Sequence, residues 1–142
     1  MRSHAHAVIS LAVAGLELAA TTPPVSPVVV VAVALAAGVG VDLDHFLLAR
    51  YGGDWRAVRR CLRNPRIVLV DQDAIFEEGT VGAARRLLSH VFIGGVAVPV
   101  VWLASPYLAG LVAVSLYAHV LADLVAMEHN KVVLDADDPR LD

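Results

Sequence analysis

Long apolar runs without charge constrain the fold of this chain more than any other feature. Residues 28–41 contain no charged side chain. Hydrophobic residues fill 58% of the 142 positions and charged residues only 18%, whereas soluble domains carry about 45–50% apolar and about 25% charged residues. Because the apolar residues cluster in runs, they are typical of membrane-spanning helices. We therefore predict a small integral membrane protein that lies in a lipid bilayer.

Four apolar segments approach the length that a bilayer requires. A hydrocarbon core about 30 Å thick needs roughly 20 apolar residues per helix. The segments are residues 6–22, 25–48, 90–103 and 107–127. Short turns with proline separate the first from the second and the third from the fourth. The predicted fold class is therefore all-α, a four-span transmembrane helical bundle of two helical hairpins with a cytoplasmic connecting segment.

The polar segments divide the chain into four regions. They are the first hairpin (1–48), an Arg-rich connection (49–89), the second hairpin (90–127) and an acidic tail (128–142). The connection contains a short amphipathic helix over residues 55–62, which either lies at the lipid headgroups or packs on the bundle. The tail is expected to be solvated. A cleaved signal peptide is the alternative for the N-terminal segment, because Arg2 precedes its apolar run.

The distribution of basic residues predicts the orientation in the membrane. Eight of the eleven Lys and Arg residues lie in the connection, and neither short turn has any. They are Arg50, Arg56, Arg59, Arg60, Arg63, Arg66, Arg85 and Arg86. The positive-inside rule places such a segment in the cytoplasm, so both termini are predicted to be cytoplasmic in a multi-pass protein of the cell membrane.

Composition also excludes two classes of protein. The single cysteine, Cys61, excludes an internal disulfide framework and a cysteine-based zinc cluster. The net charge of -3 argues against a nucleic-acid partner, which would require a basic face.

Ionisable residues in or beside the apolar segments are the most informative functional signal. Such residues are costly in a membrane and mark functional sites by default. They are His6, Asp42, Asp44, His45, His90, His119 and Asp123. In the predicted topology all of these fall toward the cytoplasmic face, whereas a further ionisable residue, Glu17 in the first segment, lies toward the opposite face. Four helices thus each bring a histidine or an aspartate to one layer of the bundle.

The spacing of these residues fits metal ligation. His119 and Asp123 are four residues apart and therefore lie on one helix face, about one turn from each other. Asp42 and His45, three apart, share a face in the same way, and Asp44 is expected to point elsewhere. Helical bundles build metal sites from such inward-facing side chains. A set of imidazoles and carboxylates without thiolate suits a divalent metal such as Zn²⁺, Mn²⁺ or Fe²⁺.

Simpler interpretations remain open for each residue alone. Asp42 and Asp44 are also expected where a helix leaves the membrane and water begins. His119 and Asp123 are able to form a purely structural hydrogen-bonded link. The convergence of all four helices favours a site.

Four short motifs carry a resemblance to a known family. They are His6-Ala-Val-Ile-Ser10, Val41-Asp42-Leu43-Asp44-His45, Ser89-His90 and Tyr117-Ala-His119-Val-Leu-Ala-Asp123. Together they resemble the YdjM/YbcI-type membrane-bound metal-dependent hydrolases. The resemblance covers residues 6–123 as separate islands. It departs from the family pattern where Arg85 replaces a histidine, Leu87 a glycine and Val41 a proline.

The resemblance implies a helical membrane protein with a cytoplasm-facing metal site and a hydrolase activity. The expected ligands are His6, Asp42, His45, His90, His119 and Asp123, shared between more than one ion. Asp44 is the expected catalytic carboxylate, either as general base or as partner of a ligating histidine. A metal there would activate water. The substrate expected in this interfacial layer is a lipid or a phosphoester.

Arg85 and Arg86 are the expected substrate-binding residues, because guanidinium groups hold phosphates. The alternative role of these two arginines is to anchor the chain on the cytoplasmic side of the membrane, as the positive-inside rule describes. The alternative for the whole layer is a non-catalytic membrane protein with a metal-binding, sensing or structural polar network. Small residues, with Gly38, Gly40, Gly94 and Gly95 among them, make a homo-oligomer a further expectation.

Overall fold

Five α-helices and one 3₁₀ turn form the regular structure of the residues that the computed structural model describes, which are 3–44, 56–64 and 83–136. The elements are α1 (Ser3–Ala20), α2 (Pro27–Gly38), the 3₁₀ turn (Gly40–Leu43), α3 (Arg56–Arg63), α4 (Ala83–Ala104) and α5 (Pro106–Ala136). These ranges contain no β-strand. The prediction of an all-helical protein is confirmed for them.

Two of the helices are long and apolar enough to cross a membrane. The spans are Arg85–Ala104 within α4 and Pro106–His129 within α5. The apolar parts of α1 and α2, His4–Ala20 and Pro27–Gly38, are shorter. Length and composition therefore support two of the four predicted spans.

Helix α5 is the common partner of the bundle. It packs against α4, α2 and α1, and α1 packs against α2. One core cluster joins three of these helices through Ala14, Val30, Ala34 and Leu111. Alanines at this crossing let the backbones approach closely. The packing fixes the part of α5 that carries His119 and Asp123 beside α1 and α2.

Helix α2 ends earlier than the sequence predicted. Its α-helical part stops at Gly38 and the 3₁₀ turn follows, whereas the apolar run predicted a helix to about residue 48. The Asp42 N–H donates to the carbonyl oxygen of Val39 (3.2 Å), the i→i+3 pattern of a 3₁₀ helix. The Gly38 carbonyl is therefore available to a side chain from another helix.

Other helix ends also differ from the sequence prediction. Helix α5 continues to Ala136, beyond the expected end of the span at Met127. Residues 128–136 contain neither proline nor glycine, so nothing local stops the helix there. The amphipathic helix predicted over 55–62 appears as α3, where Leu62 is largely exposed.

The crossing of α1 and α2 depends on the absence of a side chain at Gly38. A Cβ atom at this position would overlap the Ser10 hydroxyl. That hydroxyl donates to the His6 carbonyl oxygen (2.8 Å), so moving it breaks a buried hydrogen bond. A Cβ atom at Gly15, on α1 of the same bundle, would meet no neighbouring element within 4 Å. Gly15 is therefore a matched control position for a substitution at Gly38.

We expect Gly38→Ala to lower the free energy of unfolding by about 1–3 kcal/mol, the usual cost of overpacking. Gly15→Ala should leave stability unchanged or raise it by up to about 1 kcal/mol, because alanine is the better helix former. Thermal unfolding of the two variants in detergent, followed by circular dichroism, measures the difference. Equal stability of both variants would contradict the close crossing.

Candidate metal centre

Buried histidines and aspartates meet at one end of the bundle. His6, His90 and His119 are each only 1% exposed. Asp123 and Asp44 are 6% and 8% exposed. Side chains of this kind are seldom fully buried unless they are paired or bind a metal. The cluster is therefore the strongest candidate for a functional site among the described residues.

Four elements supply the cluster. Helix α1 contributes His6, and α4 contributes His90. The 3₁₀ turn carries Asp42, and Asp44 follows it directly as its C-cap. Helix α5 contributes both His119 and Asp123 from one face. The expected convergence of four chain segments on one layer is present in the structure.

The first half of the cluster lies between α1, α5 and the 3₁₀ turn. His6 Nε2 is 3.2 Å from Asp123 Oδ1. His119 Nε2 is 3.6 Å from Asp123 Oδ2 and 3.5 Å from Asp42 Oδ1. One ligand atom from each of these four residues lies within 4.8 Å of all the others. The set is compact enough to surround one ion.

The second half of the cluster surrounds His90. Its Nε2 atom is 3.4 Å from Asp44 Oδ1 and 3.7 Å from Asp42 Oδ1. Asp42 Oδ1 thus faces two imidazoles, His119 on one side and His90 on the other. The His90 ring stands edge-on to His119 with centroids 4.8 Å apart, while His6 stacks on His119 at 3.8 Å.

The end of α2 orients His119. The Gly38 carbonyl oxygen lies 2.6 Å from His119 Nδ1. Because a carbonyl only accepts, Nδ1 carries the proton and donates it. The lone pair of Nε2 then points to the carboxylates. A backbone carbonyl that fixes the tautomer in this way is the usual support of a metal-ligating histidine.

The ring nitrogens and carboxylates of the cluster face one another at distances longer than those of charged hydrogen bonds. Among the described residues, His119 Nε2 and both ring nitrogens of His6 are buried without a partner in hydrogen-bond geometry. The N···O separations of 3.2–3.7 Å exceed the 2.7–2.9 Å typical of charged pairs. Two ligand atoms that bind one ion at about 2.1 Å lie about 3.0–3.4 Å apart. The observed separations overlap this range and extend slightly beyond it, and the donor types suit a divalent metal.

The basic residues near the cluster differ in their exposure and in their contact with it. The Arg86 guanidinium is 3.9 Å from Asp123 Oδ2, with about a third of its side chain exposed. Arg85, its neighbour on α4, is exposed. His4 and His129 are exposed as well and stay outside the cluster. His45, one of the expected ligands, lies outside the described residues.

The orientation of Asp44 differs from the sequence prediction. Helical spacing placed Asp44 away from Asp42, but both carboxylates contact His90. In an α-helix residues two apart differ by about 160° around the axis, and in a 3₁₀ helix by about 120°. The tighter winding of the 3₁₀ turn brings the two aspartates closer to a common side.

Gly38 and Ser10 are the supporting residues that sequence reasoning missed as part of the site. Gly38 orients His119, and Ser10 fills the space against Gly38 that a side chain would need. The sequence contained one indication of their role, a small residue four positions from a candidate ligand on each segment. Ser10 follows His6 by four positions, and Gly38 precedes Asp42 by four.

Comparisons of the chain with protein-family models, with curated proteins and with solved structures each found no match. The geometry of the cluster is therefore the basis for assigning a function.

Proposed function

We propose that this protein is an integral membrane metal-dependent hydrolase that acts on a lipid or a phosphoester at the cytoplasmic face. The observation that carries the proposal is the convergence of His6, Asp42, His119 and Asp123 around one ion-sized space. We further propose that the chain is a divergent member of the YdjM/YbcI-type hydrolases. Its four motifs supply this cluster.

The donor atoms define the kind of ion. Two imidazoles and two carboxylates, without thiolate, suit Zn²⁺, Mn²⁺ or Fe²⁺. An ion of this kind supplies Lewis-acid activation of water at neutral pH. The chain's own contribution is to hold the ligands rigidly in a buried, low-dielectric layer, which strengthens every charge interaction there.

The remaining polar residues have roles beside the ion. Asp44 lies 3.4 Å from His90. Its carboxylate either accepts a proton from water or orients the His90 ring. Arg86, partly exposed beside Asp123, is placed to bind an anionic group such as a phosphate. Arg85 is exposed on the same helix end and serves as a second contact or as a positive-inside anchor.

Exposed apolar side chains support four spans, and the basic residues of the connection support both termini in the cytoplasm. All four long helices carry large, exposed apolar residues, which soluble monomers rarely expose in extended patches. Examples are Leu16 on α1, Val28 on α2, Phe92 on α4 and Val125 on α5. With its 18 residues, α1 is about 27 Å long and nearly matches a bilayer core.

An apolar cavity beside the cluster supports a lipid substrate. It measures about 450 Å³ and opens between α2, the 3₁₀ turn, α4 and α5. Its lining includes Ile93, Ala97 and Val112, and Asp44 is the charged residue in it. A groove of this kind suits an acyl chain whose polar head lies toward Asp44.

We propose that the chain also forms a homo-oligomer, with two of the four glycines named above available for contacts between copies. Gly38 and Gly94 lie at contacts inside the chain, against Ser10 and Leu116. Gly40 and Gly95 have open space around them. If a second copy packs through small residues, these two positions are the places to test.

The second candidate function is a structural or sensing polar network without catalysis. The His119–Gly38 hydrogen bond and the stacked rings of His6 and His119 join α1, α2 and α5. Such a network stabilises a bundle whether or not it binds an ion. Absence of bound metal would leave only this second candidate, and hydrolysis of a lipid ester or a phosphoester by the metal-loaded protein separates the two functions where metal is bound.

We expect the detergent-purified protein to carry a near-stoichiometric divalent metal, measured by elemental mass spectrometry. His6→Ala should lose most of it, because His6 Nε2 is one of the converging donor atoms. His4→Ala is the matched control, since His4 is an exposed histidine two positions away on α1. It should keep the wild-type metal content.

A metal-free wild type after incubation with Zn²⁺, Mn²⁺ or Fe²⁺ would overturn the hydrolase proposal and leave the structural network. Equal metal contents in the two variants would show that the bound ion lies elsewhere. A metal-loaded wild type then justifies a screen of lipid esters and phosphoesters.

A further inference from the structure

We propose that His90, Asp44 and Asp42 hold a second divalent cation, with Asp42 as a carboxylate shared between the two ions. This inference rests on the proposed function, because it needs the first ion beside it. In this two-ion arrangement His90 and Asp44 both bind the second ion, and the site is a two-metal centre.

The first argument is the position of His90 relative to the first ion. The compact four-residue set consists of His6, Asp42, His119 and Asp123, and His90 is outside it. His90 is nevertheless as deeply buried as the other two histidines. Its Nε2 atom faces Asp44 at 3.4 Å and Asp42 at 3.7 Å, close to the 3.2–3.6 Å separations around the first position.

The second argument is the central position of Asp42. Its Oδ1 atom lies 3.5 Å from His119 Nε2 and 3.7 Å from His90 Nε2. One carboxylate therefore faces a histidine of each ion position. Hydrolytic two-metal sites hold their ions about 3.5–4 Å apart, a distance that a bridging carboxylate spans.

The third argument is the number of protein ligands at each position. Among the described residues, the first position offers four donor side chains and the second offers three, His90, Asp44 and the shared Asp42. Zinc sites with three protein ligands bind water or substrate in the fourth position. Asp44 also lines the apolar cavity, so the second position borders the proposed route of the substrate.

Titration of the purified wild type with Mn²⁺ tests this inference. We expect two equivalents of Mn²⁺ by elemental mass spectrometry and an exchange-coupled signal by electron paramagnetic resonance. His90→Ala should bind one equivalent with an uncoupled signal, because the four ligands of the first position remain. The retained equivalent also shows that the variant is folded. His129→Ala, an exposed histidine on α5, is the control and should behave like the wild type.

The alternative outcomes are distinguishable. One uncoupled equivalent in the wild type overturns the second ion and leaves the proposed function intact. Two equivalents without coupling overturn the shared Asp42. Failure of the wild type to bind any ion overturns the proposed function together with this inference. An unchanged stoichiometry in His90→Ala also contradicts the second position.

Discussion

Replacing Asp42 by alanine is expected to lower the affinity for both ions by more than about 100-fold, because even second-shell changes cost about 10–100-fold. Asp42 Oδ1 is the atom that faces both His119 and His90. Its removal therefore weakens the two positions at once, whereas His90→Ala is expected to affect one. Asp42→Asn keeps the size of the side chain and removes its charge, so its affinity should fall between wild type and alanine.

Metal titrations of the wild type, Asp42→Ala, Asp42→Asn and His90→Ala measure this effect. Glu128→Gln is the control, because it removes an exposed carboxylate from α5 that is not one of the converging donors. It should bind metal as the wild type does. If Asp42→Ala keeps either ion at wild-type affinity, Asp42 does not bridge the two positions.

The second large effect concerns stability. A ligand at about 1,000 times its dissociation constant stabilises the folded state by about 4 kcal/mol. Saturating metal should therefore raise the unfolding temperature of the wild type, and a chelator should lower it again. His119→Ala should show a smaller shift, because it lacks a ligand of the first position while the residues of the second position remain.

The same variant should also be less stable without metal. Its Gly38 carbonyl loses the hydrogen bond from His119 Nδ1, and an unsatisfied buried acceptor costs about 1–3 kcal/mol. Thermal unfolding with and without metal, beside His129→Ala, separates the two effects. A full metal-dependent shift in His119→Ala would place the ion away from this cluster.

The chemistry of the site was largely predictable from single residues. An apolar segment tolerates a histidine or an aspartate only where another polar group meets it, because an isolated charge in a low-dielectric layer is costly. His6, His90 and His119 are separated by long stretches of chain, yet each interrupts or borders an apolar run. Their convergence follows from that cost, and the structure brings all three together.

The helix ends were less predictable because they depend on contacts between helices. The apolar letters after Gly38 favoured a continuous helix, but α2 gives way there to the 3₁₀ turn. The sequence also carried no indication that Asp44 shares His90 with Asp42. Local propensity differs little between α and 3₁₀ winding over one turn, so packing against α1 and α5 decides the outcome.

By itself the sequence determined that the chain is helical and that a layer of histidines and aspartates had to be satisfied within it. The composition of the apolar runs and the cost of burying charge are sufficient for both conclusions. Only the tertiary structure decided which histidines and aspartates meet in each half of that layer. At the close crossing, α2 ends at Gly38, the Gly38 carbonyl orients His119, and Asp42 lies between two histidines. These distances arise from packing between elements far apart in the chain, which no local pattern encodes.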